Sequence, residues 1–156
     1  MDDAKPRCVL IVANRTSSTP TLLDLVKQRA QEAPHRFTLL VPDAPDRKAA
    51  DWTLESALPL LRRAAGSEVE GITGGPDPYE AIHDAVLAGS YDEIIISTLA
   101  KRSSRWLRRD LPTRVRKLVG VPVTVISEEE DFVPSYLPQG DGGGGFGGGP
   151  GGGGIL

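Results

Sequence analysis

The residues best suited to bind a small molecule lie in four short polar loops, each of which follows an apolar run. Their amide, hydroxyl and guanidinium groups, together with bare glycine backbone, could hold a nucleotide or another small anion through hydrogen bonds and charge. The candidate ligand-binding residues are Asn14, Arg15, Val41, Gly74, Gly75, Ser97, Thr98, Ala100, Lys101, Arg102 and Asp110. At Val41 only the backbone would contribute.

The sequence offers no recognised arrangement for catalysis or metal binding. The serines of these loops lack a nearby histidine and acid, and no nucleophile elbow of the Gly-x-Ser-x-Gly kind is present. His35 and His83 have no partner at ligand spacing. Cys8, the only cysteine, lies in an apolar run and is expected to be a small buried side chain. We therefore predict a protein without enzymatic activity, catalytic residues, metal or cofactor.

The net charge of -3 argues against a nucleic-acid binder. One stretch of the chain is nevertheless strongly basic. Residues 101–117 carry eight lysines and arginines and a single acid, Asp110. Its arginines and Trp106 could hold an anion or stack a base. The interpretation that we favour is that Trp106 and Leu107 anchor this stretch to the body. The arginines then face solvent or pair with acids such as Asp43, Asp46, Asp92 or Glu128 to Glu130.

Five short apolar runs predict the strands that must position these loops. They cover residues 9–13, 37–41, 69–72, 93–97 and 121–126. Four of them are apolar almost throughout, which is typical of a parallel sheet covered by helices on both faces. The third run is interrupted by Glu70 and Gly71, so we expect it at an edge of the sheet.

Helical patterns alternate with these strands. They span residues 20–33, 53–65, 78–88 and about 110–119, with capping signals at Thr19, Asp77 and Asp110. Pro59 lies inside the second pattern and predicts a kink or a late start there. Right-handed crossovers convert this order into an open doubly wound α/β domain, a Rossmann-like five-stranded parallel sheet with strand order 3-2-1-4-5.

Ligands of such sheets bind beyond the carboxyl ends of the strands, where the strand order reverses. At these ends the sequence resembles the universal stress protein family, over residues 8–126 and most closely its divergent actinobacterial members. The marks of the resemblance are the five-strand order, the Gly74-x-Pro76 turn before a helix, the Asp92-Glu93 entry to the fourth strand and the Arg114-Val115 to Val121-Pro122 passage.

The resemblance implies a nucleotide site, but the chain departs from the family's ATP motif, Gly-x2-Gly-x9-Gly-Ser/Thr. That spacing places Ser97, Ala100 and Asp110 at the glycines and Leu111 at the hydroxyl position, and Asn14 replaces a frequent aspartate. We expect the Asp110 carboxylate to cap the last helix and so to occupy the amides that a phosphate would use. ATP binding is therefore disfavoured.

Beyond the domain at residues 8–127 the sequence predicts three extensions. Residues 1–7 form an N-terminal arm, and residues 128–138 form an acidic and apolar connector that could pack back onto the domain. Residues 139–156 contain twelve glycines in eighteen positions and are expected to be disordered. That tail could reach a protein partner through Phe146, Ile155 and Leu156.

The function expected from the resemblance is a non-catalytic regulatory or protein-interaction module of the stress response. The resemblance also implies a homodimer joined through the last strand, residues 121–126. The N-terminus is charged and the apolar run after it is too short for a signal peptide or a membrane span, so we expect a cytoplasmic protein and not a membrane protein. The alternative is a domain that binds a nucleotide or another small anion at the carboxyl ends of the strands. A small hydrolase acting on nucleotides is a third reading, supported only by analogy of fold.

Overall fold

A computed structural model describes residues 5–99 and 104–127, which contain a single five-stranded sheet. The strands are β1 (Arg7–Val12), β2 (His35–Val41), β3 (Val69–Thr73), β4 (Glu93–Thr98) and β5 (Val123–Ser127). All neighbouring strands are parallel, in the order β3-β2-β1-β4-β5. The predicted fold class and strand order are confirmed, and β3 lies at an edge as expected.

Helices cover both faces of the sheet. They are α1 (Pro20–Glu32), α2 (Arg47–Ala65), α3 (Pro78–Ala88), α4 (Arg105–Arg108) and α5 (Leu111–Leu118). One buried cluster joins α1 and α2 to alternate residues of the central strands, and a second joins α3, Trp106 and α5 to the opposite face. None of the helices in the described residues is long and apolar enough to cross a membrane.

The predicted late start of the second helix is wrong. The α2 helix begins at Arg47, six residues before the predicted boundary, because the Asp46 side chain accepts a hydrogen bond from the Ala49 amide at 2.8 Å and caps the helix. Pro59 lies inside α2, and Gly66 ends it in the left-handed conformation at φ 71°. Asp77 caps α3 as predicted, with its carboxylate accepting from the next two amides.

Three further expectations differ from the structure or fall outside it. Thr19 precedes α1 but makes no side-chain cap. Cys8 is only partly buried, because it lies before the fully buried run that starts at Val9. The connector at 128–138 and the glycine-rich tail at 139–156 lie outside the described residues.

Candidate functional site

A cleft of about 330 Å³ opens at the carboxyl ends of β1 and β4, where the strand order of the sheet reverses. Its volume falls at the lower end of the range of small-molecule sites. It is lined by Asn14, Arg15, Thr16, Asp43, Pro45, Ser97, Thr98, Leu99, Ser104, Arg105 and Trp106. The cleft therefore lies where ligands of doubly wound sheets bind.

Asn14 joins the loop after β1 to the loop after β2. Its side-chain amide donates to the carbonyl oxygens of Pro42 at 2.8 Å and Asp43 at 3.1 Å. Both amide protons are thereby used, and the Oδ1 atom accepts no hydrogen bond from the described residues. A ligand in the cleft could donate to that oxygen.

Asp43 is the acidic centre of the cleft. Its Oδ2 atom accepts from Arg105 Nη2 at 2.6 Å and from Trp106 Nε1 at 3.3 Å, and its side chain is 19% exposed. Its backbone is left-handed, with φ 61°, and its amide donates to the Gly75 carbonyl at 2.9 Å. The predicted pairing of an arginine with Asp43 and the predicted anchoring by buried Trp106 are both confirmed.

Two buried hydroxyl groups form the floor of the cleft. Thr16 Oγ1 and Ser97 Oγ lie 2.6 Å apart, and both residues are almost fully buried. Beside them Thr98 Oγ1 donates to the Leu99 carbonyl at 2.6 Å. These hydroxyls already have protein partners, so they shape the floor and fix the loops.

The structure brings together only part of the candidate set. Asn14, Arg15, Ser97 and Thr98 line the cleft, whereas Val41, Gly74, Gly75 and Asp110 do not. Ala100, Lys101 and Arg102 lie outside the described residues. Five lining residues were not among the candidates: Thr16, Asp43, Pro45, Leu99 and Ser104. The sequence interpretation took Trp106 as an anchor and Arg105 as a solvent-facing or acid-pairing arginine. Asp43 entered that interpretation only as a possible arginine partner, although its place directly after β2 could have marked it as a cleft residue.

The two candidate glycines serve the packing of the loop after β3. Gly74 donates its amide to the Val41 carbonyl at 3.0 Å, and a Cβ atom added to it would come within 2.5 Å of the Ala81 Cβ atom. The carbonyl of Gly75 receives the Asp43 amide. Glycine at position 74 is therefore explained by the close approach of β3 and α3.

The predicted capping role of Asp110 is wrong. Asp110 precedes α5 but is left-handed, with φ 57° and ψ 40°, and its side chain makes no capping hydrogen bond. A capping residue normally has an extended backbone, which aims its side chain at the first-turn amides. Asp110 instead holds a conformation that glycine adopts most easily, at the position where the family's motif has glycine.

Leu111, at the hydroxyl position of that motif, is 1% exposed and belongs to the apolar cluster below α3 and α5. Its side chain therefore contributes to the core and offers no group to a phosphate. The sequence already showed that leucine replaces the hydroxyl residue at this position. It did not show that the leucine side chain is buried.

The sheet is open and doubly wound, and the cleft lies where its strand order reverses. Together these features define a Rossmann-like α/β domain.

No protein-family model matches the sequence, and no curated protein matches it. Solved structures of similar fold include two universal stress proteins. A universal stress protein in complex with cAMP has a TM-score of 0.58 at 15% identity, and the match covers 80% of this chain and 98% of that one. A universal stress protein from Archaeoglobus fulgidus has a TM-score of 0.56 at 17% identity, with coverage of 78% and 93%. The chain therefore has the universal stress protein fold.

Proposed function

We propose that this protein is a universal-stress-protein-like regulatory module, non-catalytic and cytoplasmic, that acts without ATP. The observation that carries the proposal is the burial of Leu111 where the family's ATP motif has a hydroxyl residue. A side chain packed in the core cannot turn to contact a phosphate without opening the α5 packing. The stress-response role rests on the resemblance in sequence and fold.

The electrostatics of the cleft support the same proposal. The Asp43 carboxylate lines the cleft and already holds the guanidinium of Arg105. A triphosphate placed there would meet a like charge, and it would have to compete with Asp43 for Arg105. Among residues 5–99 and 104–127, Arg15 is the other cation that lines the cleft, and it is exposed.

The test is titration calorimetry of the full chain with ATP and Mg²⁺, together with mass spectrometry of the denatured protein for co-purified nucleotide. We expect no heat at millimolar ATP and no retained nucleotide. Saturable ATP binding would overturn the proposal. Phosphate release from ATP above a no-protein blank would overturn the non-catalytic part.

The second candidate is a domain that binds a smaller anion, such as a nucleoside monophosphate or a cyclic nucleotide. A specific observation favours it: the cleft combines two guanidinium groups, those of Arg15 and Arg105, with the Asn14 Oδ1 atom, which accepts no hydrogen bond from the described residues. One of the similar proteins of known structure is in complex with cAMP. The single negative charge of a cyclic nucleotide can be matched by Arg15 without displacing Arg105 from Asp43.

Calorimetry with AMP and cAMP tests this candidate. Binding should weaken in Arg15→Gln, while Arg63→Gln, an exposed arginine on α2, should bind like the wild type. No heat with any of these ligands would remove the candidate and leave the protein-interaction role.

A further inference from the structure

The outer side of α5 carries a cluster of positive charge. Residues 104–127, which contain α4, α5 and β5, have six lysines and arginines and one acid, whereas residues 5–99 have ten and thirteen. All six cations lie in or between α4 and α5. Four of them are exposed and form what we call the basic face of α5: Arg109, Arg114, Arg116 and Lys117.

The packing of α5 turns these side chains outward. Leu111 and Val115 are fully buried and hold one side of the helix in the apolar cluster that it shares with α3. Arg114, Arg116 and Lys117 occupy exposed positions on a helix of eight residues, which is about 12 Å long. Three like charges are therefore held close together, and their mutual repulsion is a cost to the isolated domain.

The basic face has no acidic partner among the described residues. None of the salt bridges between those residues includes any of its four side chains. The Arg114 guanidinium lies 4.3 Å from the centre of the Tyr79 ring, and Arg116 Nη2 donates to the Val123 carbonyl at 3.4 Å. These contacts orient the two arginines but leave their charge unneutralised.

The helix dipole accounts for only part of this charge. Arg116 and Lys117 lie in the last turn of α5, where the partial negative charge of the helix end favours cations. That partial charge is about half an elementary charge, so it offsets less than one of the two. Arg109 precedes the helix, where the dipole disfavours a cation. The basic face therefore has charge left for an external anion.

The size and surroundings of the basic face favour an acidic segment of a protein over a nucleic acid. An extended peptide places a side chain on one side about every 7 Å, so a short run of acids can meet several cations along α5. A nucleic acid would continue past the helix onto a body with more acids than cations. The rings that pack with α5 are closed to bases, since Arg114 lies over Tyr79 and Trp106 is buried.

We propose that the basic face of α5 is the docking surface for an acidic segment of a protein partner, a run of aspartates and glutamates. Its guanidinium groups would form charge-assisted hydrogen bonds with the carboxylates of that segment. The proposal rests on the protein-interaction role proposed above, and it names the surface and the chemistry of the partner. It requires no ligand in the cleft.

The experiment measures binding of a rhodamine-labelled octaglutamate peptide to the full chain by fluorescence anisotropy, at about 0.1 M salt, where charges farther than about 10 Å are screened. We expect the affinity to fall about tenfold in Arg114→Gln/Arg116→Gln/Lys117→Gln, because three exposed ion pairs are lost.

The matched control is Lys27→Gln/Lys48→Gln/Arg63→Gln. It removes the same charge from exposed positions on α1 and α2, which cover the opposite face of the sheet. Its affinity for the peptide should change by no more than about twofold, because these positions are screened from the basic face. Equal weakening in the two triple variants would mean that net charge alone governs binding, and the proposal would be wrong.

A single variant covers the case in which the loss of Arg114 disturbs the packing against Tyr79. Lys117→Glu changes an exposed side chain that has no ion pair with the described residues, so the fold should be kept. Binding of the peptide should weaken about threefold or more, because a like charge replaces a partner. Wild-type affinity in this variant would overturn the proposal.

A labelled DNA duplex of the same net charge as the peptide is the competing partner. Tighter binding of the duplex, lost in the triple variant of α5, would assign the face to nucleic acid and overturn the proposal. The absence of peptide binding would also overturn it. The ATP titration keeps the two proposals apart: missing peptide binding without ATP binding removes only the docking surface, whereas saturable ATP binding removes the proposed function.

Discussion

Thr16 and Ser97 share a hydrogen bond of 2.6 Å between two buried hydroxyl groups, and this bond ties the loop after β1 to the end of β4. The contact lies at the point where the strand order reverses. Ser97 also occupies the first glycine position of the family's ATP motif. At this motif position Ser97 therefore holds the floor of the cleft in place.

Ser97→Ala should lower the free energy of unfolding by about 1–3 kcal/mol, because it leaves the buried Thr16 hydroxyl without its partner. Thr16→Val should cost a similar amount. The double variant should cost clearly less than the sum of the two, since neither hydroxyl is then left unsatisfied. Urea unfolding of the four proteins measures this coupling, and additive losses would show that the bond does not contribute.

Asp43→Asn should reveal how strongly the cleft rejects anions. Asparagine tolerates the left-handed backbone, so the loop should keep its shape while Arg105 loses its charged partner. We expect a stability loss of about 1 kcal/mol, limited because the Arg105 side chain is largely exposed. Binding of AMP, measured by calorimetry, should improve.

Asp46→Asn is the matched control for this change. It removes the same charge from the same loop, three residues further along. Asparagine caps a helix as well as aspartate does, so α2 should keep its start. AMP binding that improves equally in both variants would mean that only net charge matters, and the assigned role of Asp43 would be wrong.

The sheet and most helix boundaries follow from the sequence because they depend on local signals. Runs such as Val9 to Val12 are apolar at every position, and Pro78 with Asp77 defines the start of α3. The start of α2 could not be found from periodicity, because residues 47–50 are two basic side chains followed by two alanines. There the cap at Asp46 decides the boundary.

The site was harder to predict because its contacts join residues that are far apart in the sequence. Asp43 meets Arg105 and Trp106 across more than sixty residues, and only the fold brings them together. The left-handed backbone of Asp110 was equally hidden, since aspartate before a helix ordinarily signals a cap. A pattern of residue types predicts local conformation well and pairwise contacts poorly.

Gly74→Ala should destabilise the fold by about 1–3 kcal/mol, because the new methyl group would overlap Ala81. Gly75→Ala should cost much less, since nothing lies within 4 Å of an added Cβ atom there. Thermal unfolding of the two variants separates them. Ala81→Gly should recover part of the stability of Gly74→Ala; equal melting temperatures for the two alanine variants would contradict the packing role of Gly74.

A pH-dependent ion pair lies at the opposite end of β4 from the cleft. Burial raises the pKa of Glu93, but hydrogen bonds from Arg29 and Thr124 outweigh it, and the pKa lies below its usual value. A carboxyl whose folded-state pKa is lowered stabilises the fold above its unfolded pKa, about 4.3 for glutamate, and loses that contribution as the pH falls further.

Glu93→Gln should therefore reduce stability at pH 7 by about 3 kcal/mol, as expected when one partner of a buried pair is removed. Its unfolding midpoint in urea should fall less steeply than that of the wild type between neutral pH and pH values below about 4. Glu55→Gln, on the exposed face of α2, is the control. Parallel pH profiles for Glu93→Gln and the wild type would contradict the assignment.

Dimerisation through β5 is the last prediction, and the hydrogen-bond pattern of the sheet makes it specific. The Ile94 amide donates to the Pro122 carbonyl at 3.0 Å, so the parallel ladder pairs Ile94 with the residues on either side of Val123. The amides of Val123 and Val125 then face outward at the sheet edge, where a second copy could pair with them.

Val125→Pro should weaken the dimer, because proline removes an outward donor while leaving the bonds to β4 in place. Val125→Ala is the matched control, since it loses the packing of the valine but keeps the amide. Light scattering over a dilution series measures both, and we expect the proline variant to dissociate at higher concentration than the alanine variant. A wild-type protein that is monomeric at every concentration would rule out pairing through β5, and equal dissociation of the two variants would place the dimer contact elsewhere.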